Sequence, residues 1–581
     1  MRKLMIGNEA LARGLYEAGC QVVSSYPGTP STEITEFAAT YKEIKSEWAP
    51  NEKVGLEVAF GASLAGARSA CCMKHVGLNV AADPLFTLSY TGVTAGLVLI
   101  VADDPAMHSS QNEQDSRHYA IAAKVPMLEP ADSAEAKAFA KEAYAMSEQF
   151  DTPVMIRMCT RIAHAQCAVE LEDRIENGLR PYVKNPQKYI MTPANAKNRH
   201  PFVEKRMSEL AELAEKSELN RIEGTGKKIG IITSGTCYQY VKEVFQNDPD
   251  VRIFKLGLVH PLPLRKLRAF AESVDRAVVI EELDPVIETA CKAAGISVEG
   301  KNLFSCIGEF NQAVIAKAFG LPDAPCYHLE ASVPVRPPVM CAGCPHRGMY
   351  YVMSKMKLTV LGDIGCYTLG SAQPLNALDS TLCMGASVSG LHGFNKAKSP
   401  ESEGKTVCVI GDSTFMHSGM TGLVNISYNN TNSTVVILDN SITGMTGHQQ
   451  NPTTGYNIYG DPAAKVDLEA LCHAIGIRRV RVVDPYDLSA CEAALKEELA
   501  APEASVIISR RPCVLLKYVK AKPALSVDPA KCRSCKKCMG LGCPAIHMEN
   551  KKACIDPTLC VGCGVCEQLC AFQAIGGKDQ S

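Results

Sequence analysis

Nine of the 26 cysteines in this chain lie between Cys532 and Cys570, and eight of these stand in two similar runs. The runs are Cys532, Cys535, Cys538 and Cys543, then Cys560, Cys563, Cys566 and Cys570. Triplets of the form CxxCxxC are typical of iron–sulfur clusters, which carry electrons. CxxC pairs also suit tetrahedral zinc, but the triplet, present twice, favours two clusters.

This terminal block resembles a bacterial-type ferredoxin with two [4Fe-4S] clusters, in which the fourth cysteine of each run ligates the other cluster. The resemblance implies one cluster on Cys532, Cys535, Cys538 and Cys570, and a second on Cys560, Cys563, Cys566 and Cys543. The block departs from the family pattern twice. Four residues separate Cys538 from Cys543, and Ala571 replaces the usual proline after Cys570. These departures bear on the type and potential of the second cluster, and Cys554 has no place in the scheme.

Two apolar runs upstream, in "VIGDSTFMHSG" and "VVILDNSITG", each end in a side chain that can bind a cation. Asp412 closes the first run and Asn440 closes the second. The carboxyl ends of parallel strands meet at one edge of a sheet, where ligands bind. Carboxylate, amide and carbonyl oxygens suit Mg²⁺, which bridges to phosphate groups. The alternative is an ordinary strand-to-helix turn without a ligand.

The pair resembles the diphosphate-binding motif of thiamine diphosphate enzymes. This resemblance implies that Asp412 and Asn440 bind Mg²⁺ through their side chains and that Ile442 binds it through its carbonyl oxygen. It also implies that Gly411 and Ser413 lie beside the diphosphate. Ser413 stands where the family usually has a glycine.

Two glycine-rich segments precede this motif, "CAGCPHRG" (341–348) and "GDIGCYTLG" (362–370). Glycine-rich turns let backbone N–H groups approach phosphate. Both segments resemble parts of the 2-oxoacid:ferredoxin oxidoreductases. The cofactor contacts that this resemblance implies are His346, Gly362, Asp363, Gly365 and Cys366. Alternatively, Cys341 and Cys344 form half of a zinc or cluster site.

Thiamine chemistry also needs a carboxyl group against the aminopyrimidine ring. In "NEKVGLEVAFGASLAGARS", Glu57 stands among apolar residues, and partial burial would raise its pKa and let it share a proton. From the residues alone, a solvated helical glutamate is the better interpretation. However, this segment and "SSYPGTPST" look like the pyrimidine-binding domain of 2-oxoacid:ferredoxin oxidoreductases. That resemblance implies that Glu57 is the catalytic, cofactor-binding activator and that Thr29 lies close to the substrate carbonyl. The alternative for Thr29 is an ordinary Pro-Gly turn.

The elements that must position these residues alternate between apolar β-branched runs and helical patterns, which predicts an α/β fold with parallel sheets. Breaks in the pattern predict four blocks. With the resemblance, they are a pyrimidine-binding domain (1–190), a transketolase C-terminal-like domain (195–330), a diphosphate-binding domain (335–520) and a two-cluster ferredoxin-like domain (521–581). The proline-containing segment 519–531 is predicted to be a linker.

The composition indicates a globular enzyme, with 581 residues, 46% hydrophobic and 21% charged, and a net charge of −2. This charge gives no electrostatic basis for binding nucleic acid. The first residues lack the apolar core of a signal peptide, and no apolar run reaches the roughly 18 residues of a membrane span. The cysteines outside the terminal block are dispersed, so we expect a reducing cytoplasm.

In this order, the four blocks resemble the large (alpha) subunit of the indolepyruvate:ferredoxin oxidoreductases, within the thiamine diphosphate-dependent 2-oxoacid:ferredoxin oxidoreductase family. The resemblance implies oxidative decarboxylation of arylpyruvates with coenzyme A, which gives an aryl-acetyl-CoA and CO₂. Electrons would pass through the clusters to ferredoxin. Because no block remains for the other family domain, we expect a smaller beta subunit as partner, in a heterodimer or heterotetramer.

Three other interpretations stay open. They are a non-oxidative thiamine diphosphate-dependent 2-oxoacid decarboxylase, a family member that acts on another 2-oxoacid, and an electron carrier with inactive upstream blocks. Possible contacts for the substrate carboxylate are Lys74, His75 and Arg117, although Arg117 is by default a solvated loop charge.

Overall fold

The computed structural model describes residues 1–322, 327 and 329–577 of the chain. The chain divides into two compact units, Met1–Glu330 and Ala331–Ser581. The α/β class with parallel sheets, predicted from the alternating pattern, is confirmed. Small parts of the predicted second and fourth domains, 323–326, 328 and 578–581, lie outside the described residues.

The described residues of the first unit form thirteen strands and fourteen α-helices. The strands are β1 (Arg2–Ile6), β2 (Val22–Ser25), β3 (Lys45–Trp48), β4 (Ser69–Lys74), β5 (Leu97–Asp103), β6 (Met127–Leu128), β7 (Val154–Cys159), β8 (Gln166–Glu170), β9 (Arg221–Glu223), β10 (Ile229–Ser234), β11 (Val251–Leu256), β12 (Leu258–His260) and β13 (Arg276–Ile280). The helices are α1 (Gly7–Glu17), α2 (Thr32–Ala38), α3 (Glu52–Leu64), α4 (His75–Val80), α5 (Ala82–Thr91), α6 (Arg117–Ala123), α7 (Ser133–Phe150), α8 (Thr160–His164), α9 (Pro186–Tyr189), α10 (Pro193–Lys216), α11 (Gly235–Phe245), α12 (Leu264–Glu272), α13 (Val286–Ala293) and α14 (Gln312–Ala318). A short 3₁₀ turn covers Pro105–Met107.

Seven strands of the first unit form a central sheet in the order β12-β6-β7-β5-β4-β2-β3. Neighbouring strands are parallel, except that β12 runs antiparallel to β6. β4, β5 and β7 are buried along their whole length, as expected for parallel strands whose two faces are covered by helices. Because β3, β2 and β4 are adjacent and parallel, the segments that follow them leave from the same edge of the sheet.

A second sheet in the first unit has the order β13-β10-β11-β9. β9 is antiparallel to β11, and the other pairs are parallel. β12 comes from the same part of the sequence but extends the central sheet. The predicted first and second blocks therefore form one compact unit.

Up to residue 577, the second unit contains nine strands and six α-helices. The strands are β14 (Thr359–Leu361), β15 (Thr406–Gly411), β16 (Thr434–Asp439), β17 (Arg479–Val483), β18 (Ser505–Arg510), β19 (Ser526–Val527), β20 (Ile546–Glu549), β21 (Lys552–Ile555) and β22 (Ile575–Gly576). The α-helices are α15 (His346–Met356), α16 (Ala386–Lys398), α17 (Asp412–Thr414), α18 (Met420–Tyr428), α19 (Leu468–Ala474) and α20 (Leu488–Leu499). Short 3₁₀ or π turns cover Cys366–Ser371, Phe415–Gly419, Lys537–Leu541 and Glu567–Leu569.

Five of these strands form a parallel sheet in the order β14-β15-β16-β18-β17. β15 and β16 are adjacent and fully buried. The polar residues that follow them therefore meet at the carboxyl edge of the sheet. In its described part, the cysteine-rich segment adds two small antiparallel pairs, β19 with β22 and β20 with β21.

One apolar core continues from the parallel sheet into the cysteine-rich segment. It contains Met349 from α15 together with Leu541 and Val565 from the cysteine-rich segment. Arg347, which is buried, donates a hydrogen bond of 2.7 Å to the carbonyl of Leu541. The predicted linker at 519–531 therefore does not separate two independent cores.

No helix in the described part of the chain combines the length and the apolar character that a membrane crossing requires.

Candidate active site

The ends of β15 and β16 bring three oxygen-bearing groups together in the second unit. Asp412, Asn440 and Ile442 are all buried. The Asn440 amide oxygen, as placed, lies 3.0 Å from Asp412 Oδ1 and 2.9 Å from the Ile442 carbonyl oxygen, while its nitrogen faces only donors. Turning the amide over would let its nitrogen donate to both oxygens. A cation between the three oxygens would equally relieve their repulsion, and this hard donor set fits Mg²⁺.

The electrostatics of Asp412 favour a bound cation. Burial raises the pKa of this carboxyl to about 7, and the nearby charge of Asp439 adds to the shift. The second carboxylate oxygen, Oδ2, accepts hydrogen bonds from the Thr453 hydroxyl (3.0 Å) and the Asn451 amide (3.3 Å). Oδ1 is thus left to face Asn440 and Ile442. Sequence reasoning missed Asn451 and Thr453 because nothing in the "NPTT" turn links it to Asp412.

The glycines of the two predicted motifs make room for one aromatic ring. Tyr367 packs so closely against Gly365 and Gly411 that a β-carbon at either position would collide with its ring. The ring of His346, at the start of α15, meets Tyr367 edge-on with 5.8 Å between ring centroids. His346, the GDIGC segment and the end of β15 are therefore neighbours. Ser413, just beyond, accepts a hydrogen bond of 2.8 Å from the Thr443 hydroxyl.

His346 is almost completely buried. Burial lowers its pKa to about 4, so the ring is neutral near pH 7. No hydrogen-bond partner of this ring is found among the described residues. A neutral imidazole still offers one N–H donor and one acceptor, which is what contact with a diphosphate oxygen requires.

The carboxylate of Asp363, in the GDIGC segment, accepts hydrogen bonds from backbone N–H groups. These are the N–H groups of Ile364 (2.8 Å), Gly385 (2.9 Å) and Ser387 (3.0 Å). These contacts fix the start of α16 against the strand end that Gly362 follows. Asp363 therefore positions the loop that carries the neighbouring glycines and Cys366.

A third group of thiols lies between the oxygen trio and the cysteine-rich segment. Burial raises the pKa of Cys366 to about 11, and the nearby thiols of Cys513 and Cys341 add to the shift. Burial likewise raises the pKa of Cys344 to about 12, with Cys341 and Cys366 contributing. A β-carbon on Gly444 would contact both Cys366 Sγ (3.4 Å) and the Asn440 amide nitrogen (3.7 Å). The fold thus joins to the CAGC pair two cysteines that are distant in sequence.

The eight terminal cysteines line two separate cavities. One is lined by Cys532, Cys535, Cys538 and Cys570. The other is lined by Cys543, Cys560, Cys563 and Cys566. Zinc would hold its thiolates roughly 3.8 Å apart. Among the described residues, no three of these sulfur atoms lie within 4.8 Å of one another. The spacing therefore favours a group larger than a single ion.

The unusual spacing before Cys543 has a structural solution. The turn Lys537–Leu541 is followed by Gly542, whose φ of 62° is in the left-handed region that favours glycine. This residue redirects the chain so that Cys543 faces the second cavity. The same cavity is lined by Ala342 and Cys344, so the CAGC loop borders it directly.

In the first unit, the expected partial burial of Glu57 is wrong. Its side chain is 46% exposed and forms an ion pair with Lys53 on the outer face of α3. Of the apolar neighbours on which the expectation relied, Leu56 and Ala59 belong to the buried core, whereas Glu57 lies on a face of α3 outside that core.

Glu52, five residues earlier, is the buried glutamate of this helix, with 4% exposure. It is the first residue of α3, after Asn51, whose side chain caps the helix by accepting from the Val54 N–H (2.9 Å). Its carboxylate packs against Gly77 in α4. A glutamate next to an N-cap asparagine at the head of an apolar helix is the signal that could have indicated Glu52.

The remaining predicted residues of the first unit differ in burial. Thr29 is half-buried in the turn after β2, and Lys74 and His75 are buried at the end of β4. The default interpretation of Arg117 as a solvated charge is wrong. Its buried guanidinium pairs with Asp115 (2.6 Å) and Glu281 (2.5 Å), which leaves it a structural role.

Two family models match the chain. "Pyruvate flavodoxin/ferredoxin oxidoreductase, thiamine diP-bdg" covers residues 13–220. "Thiamine pyrophosphate enzyme, C-terminal TPP binding domain" covers residues 363–509, which include Asp412 and Asn440. The chain therefore contains thiamine diphosphate-binding domains.

Curated relatives match over nearly the whole length. The protein from Archaeoglobus fulgidus named "Indolepyruvate oxidoreductase subunit IorA" is 39% identical over 98% of this chain and 97% of its own. The protein of the same name from Thermococcus kodakarensis is 40% identical over 99% of this chain and 96% of its own. Among solved structures, a 2-oxoglutarate:ferredoxin oxidoreductase from Magnetococcus marinus is 17% identical, covers 55% of this chain and 65% of its own, and has a TM-score of 0.47.

Proposed function

Since this chain belongs to the family of indolepyruvate oxidoreductase subunits named IorA, we propose that it oxidatively decarboxylates indolepyruvate with coenzyme A. The products would be indoleacetyl-CoA and CO₂, and the electrons would pass to ferredoxin. The family expected from the order of the four blocks is thereby confirmed.

The observation that carries the proposal is the continuity of the second unit. In space, Cys366 lies next to the oxygen trio of Asp412, Asn440 and Ile442. The CAGC loop lies next to Cys366 and also borders the cavity lined by Cys543, Cys560, Cys563 and Cys566. A reaction that releases electrons needs such a route, whereas a non-oxidative decarboxylase does not.

We propose that Asp412 and Asn440 hold Mg²⁺ by their side chains and that Ile442 holds it by its carbonyl oxygen. His346, with the backbone of the two glycine-rich segments, would bind the diphosphate. When bound, thiamine diphosphate supplies the electron sink for decarboxylation. The buried, neutral ring of His346 and the converging oxygens support this assignment.

We propose one [4Fe-4S] cluster in each terminal cavity, with the two ligand sets expected from the ferredoxin resemblance. The gathering of four thiols around each of the two cavities supports clusters. The third thiol group, Cys341, Cys344, Cys366 and Cys513, would hold a further iron–sulfur centre. Iron and sulfide analysis of Cys366→Ser, with Cys554→Ser as control, tests this centre: iron content unchanged by Cys366→Ser would contradict it.

In the first unit, we propose Glu52 in place of Glu57 as the carboxyl group that activates the cofactor. The Glu52 side chain is buried inside the unit, where it can meet a bound ring, whereas the exposed Glu57 side chain pairs with Lys53 on the outer face of α3. Thr29, which emerges from the same edge of the central sheet, would lie beside the substrate carbonyl.

We further propose a smaller beta subunit and ferredoxin as partners. The number of copies of each subunit and a cytoplasmic location stay predictions.

The function is tested by assaying the purified complex with a panel of 2-oxoacids, coenzyme A and ferredoxin. Indolepyruvate should give the fastest ferredoxin reduction, and this rate should depend on coenzyme A. Release of an aldehyde without reduction of any acceptor would instead support the non-oxidative decarboxylase. Faster reduction with an aliphatic 2-oxoacid would move the substrate assignment to another branch of the family.

A further inference from the structure

The last residue of β4, Lys74, is a buried lysine without a counter-ion. Lys74 is 7% exposed and is the last residue of a fully buried strand. Its Nζ donates to the Ser109 carbonyl (2.6 Å), and the Ser109 hydroxyl is 3.5 Å away. Across residues 1–322, 327 and 329–577, no carboxylate lies within 4.0 Å of this ammonium. Buried lysines are nearly always paired, so this cation requires an explanation.

The nearby acidic residue, Asp104, is already occupied. Its Oδ2 accepts hydrogen bonds from the Ser109 N–H (2.8 Å) and the Ser110 hydroxyl (2.6 Å). Its Oδ1 accepts from the Thr160 hydroxyl (2.7 Å). Asp104 therefore holds the loop after β5, and at least one of the three N–H donors of Lys74 remains for another acceptor.

A second polar group beside Lys74 lacks a partner. The His75 ring is completely buried, its Nε2 lies 3.2 Å from the Asn112 carbonyl, and its Nδ1 has no partner among the described residues. Lys74 is an ammonium without a counter-ion, and the next residue has a ring nitrogen without a hydrogen-bond partner. Together they point to a polar ligand that the described residues do not supply.

The position of Lys74 in the sheet indicates which site such a ligand would occupy. β3, β2 and β4 are adjacent and parallel. At the edge where these strands end, Glu52 follows β3, Thr29 follows β2, and Lys74 is the last residue of β4. A β-carbon on Gly28 would stand 3.1 Å from Lys74 Cβ, and Glu52 packs against α4, which begins directly after Lys74. Lys74 thus stands beside both residues of the first unit that are proposed to meet cofactor and substrate.

We propose that the Lys74 ammonium binds the carboxylate of the 2-oxoacid substrate. This inference rests on the proposed function, since it assigns the recognition of that substrate. A single ammonium balances the single charge of a carboxylate but not the roughly −1.5 to −2 charge of a phosphate group. The other role open to Lys74 is structural, as a tie to the loop through Ser109.

The test measures binding by calorimetry, using the full chain with its partner subunit. The probes are indole-3-lactate, which keeps the carboxylate but cannot be decarboxylated in the same way, and indole-3-ethanol, which lacks it. We expect Lys74→Met to weaken indolelactate binding at least about tenfold, the loss typical of a hydrogen bond to a charged group. Binding of indole-3-ethanol should not change. Lys53→Met, on the exposed face of α3, is the matched control and should bind both probes as the wild type does.

Equal affinity of Lys74→Met and wild type for indolelactate would overturn the proposal, and so would a wild type that prefers the alcohol. A purely structural role would weaken both probes together. If Lys74→Met does not fold, wild-type protein at rising pH decides. Burial lowers the pKa of Lys74 to about 8, so indolelactate affinity should fall above that pH while alcohol affinity stays constant.

The ionisable groups near Lys74 are Asp104 and His75, and Asp103 lies near the His75 ring. Burial lowers the pKa of His75, so its ring is already neutral there, and Asp104 has its pKa lowered by its hydrogen bonds. An affinity for indolelactate that stays constant as the pH rises above about 8 would overturn the proposal. If no 2-oxoacid is oxidised by the wild-type complex, the proposed function fails, yet the two probes still decide whether Lys74 binds a carboxylate.

Discussion

The carboxylate of Glu52 lies against Gly77, where a β-carbon would stand only 2.5 Å from Glu52 Oε1. The contact joins the first residue of α3 to α4, and it holds the carboxylate inside the first unit. Glu57, five residues further along the same helix, forms a solvated ion pair with Lys53. The two glutamates therefore differ in environment although both belong to one helix.

Replacing each glutamate by glutamine separates the two candidates for cofactor activation. We expect Glu52→Gln to lower turnover by about 10²- to 10⁴-fold, because an amide cannot exchange the proton of a general acid–base. Binding of thiamine diphosphate should change little. Exchange of the C2 proton of the cofactor, followed by NMR, is the direct measurement. Normal exchange in Glu52→Gln together with slow exchange in Glu57→Gln would restore the original assignment.

Removal of either side chain of the oxygen trio should abolish Mg²⁺-dependent cofactor binding. Asp412→Ala and Asn440→Ala each delete one hard oxygen ligand, and a chelator should have the same effect on the wild type. Fluorescence titration with thiamine diphosphate, with and without Mg²⁺, measures this. Glu492→Gln on α20 serves as control, since Glu492 forms a surface ion pair with Lys355 (2.7 Å). Unchanged affinity in both alanine variants would exclude the assignment.

Substitution of one terminal cysteine should interrupt electron transfer without affecting the cofactor. Cys563→Ser removes a thiol from the cavity that borders the CAGC loop, so ferredoxin reduction should be lost while thiamine diphosphate still binds. Electron paramagnetic resonance of the reduced protein should show the loss of one cluster signal. Cys554→Ser should keep the signals of both terminal clusters. A full rate of ferredoxin reduction by Cys563→Ser would mean that electrons leave by another route.

A chain that ends at Lys520 should not retain a stable second unit. Truncation removes Leu541 and Val565 from the shared core and leaves the buried Arg347 without its Leu541 acceptor. Each buried leucine lost from a core costs about 2–5 kcal/mol, and a lost partner of a buried charge adds to this. Thermal unfolding of the truncated chain tests the expectation. Native-like melting with intact cofactor binding would show that the cysteine-rich segment is an independent domain.

The chain by itself should be a poor catalyst. We expect acyl-CoA formation from indolepyruvate to require the smaller subunit, since the described units account for the cofactor-binding and cysteine-rich parts only. Rates measured before and after addition of the separately purified partner test this. Equal rates in both conditions would remove the need for a second subunit.

The site residues of the second unit were predictable because they obey local rules. Asp412 and Asn440 each follow an apolar strand, and the fold of parallel strands brings such ends together. Asn451 and Thr453 were missed because their contact with Asp412 depends on how a loop closes some 40 residues later. Cys513 joins Cys341 for the same reason, through the sheet and not through spacing.

The errors in the first unit have a similar physical origin. The helical pattern around Glu57 is ambiguous, because the packing of α3 on β2, β4 and α4, which its own residues do not reveal, decides which face of α3 is buried. The burial of Arg117 depends on Glu281, 164 residues away. Long-range partners of charged side chains leave no periodic signal in one sequence.

Within the residues that the structure describes, the cysteine-rich segment has four short strands and two short turns. Its cavities interrupt the apolar core that it shares with the parallel sheet. Groups that fill such cavities add their binding free energy to the stability of the fold around them. We therefore expect iron supply to control how much correctly folded second unit accumulates. Oxygen damage that empties both cysteine cavities, unlike the loss of a single cluster, would then release thiamine diphosphate as well as stop electron flow.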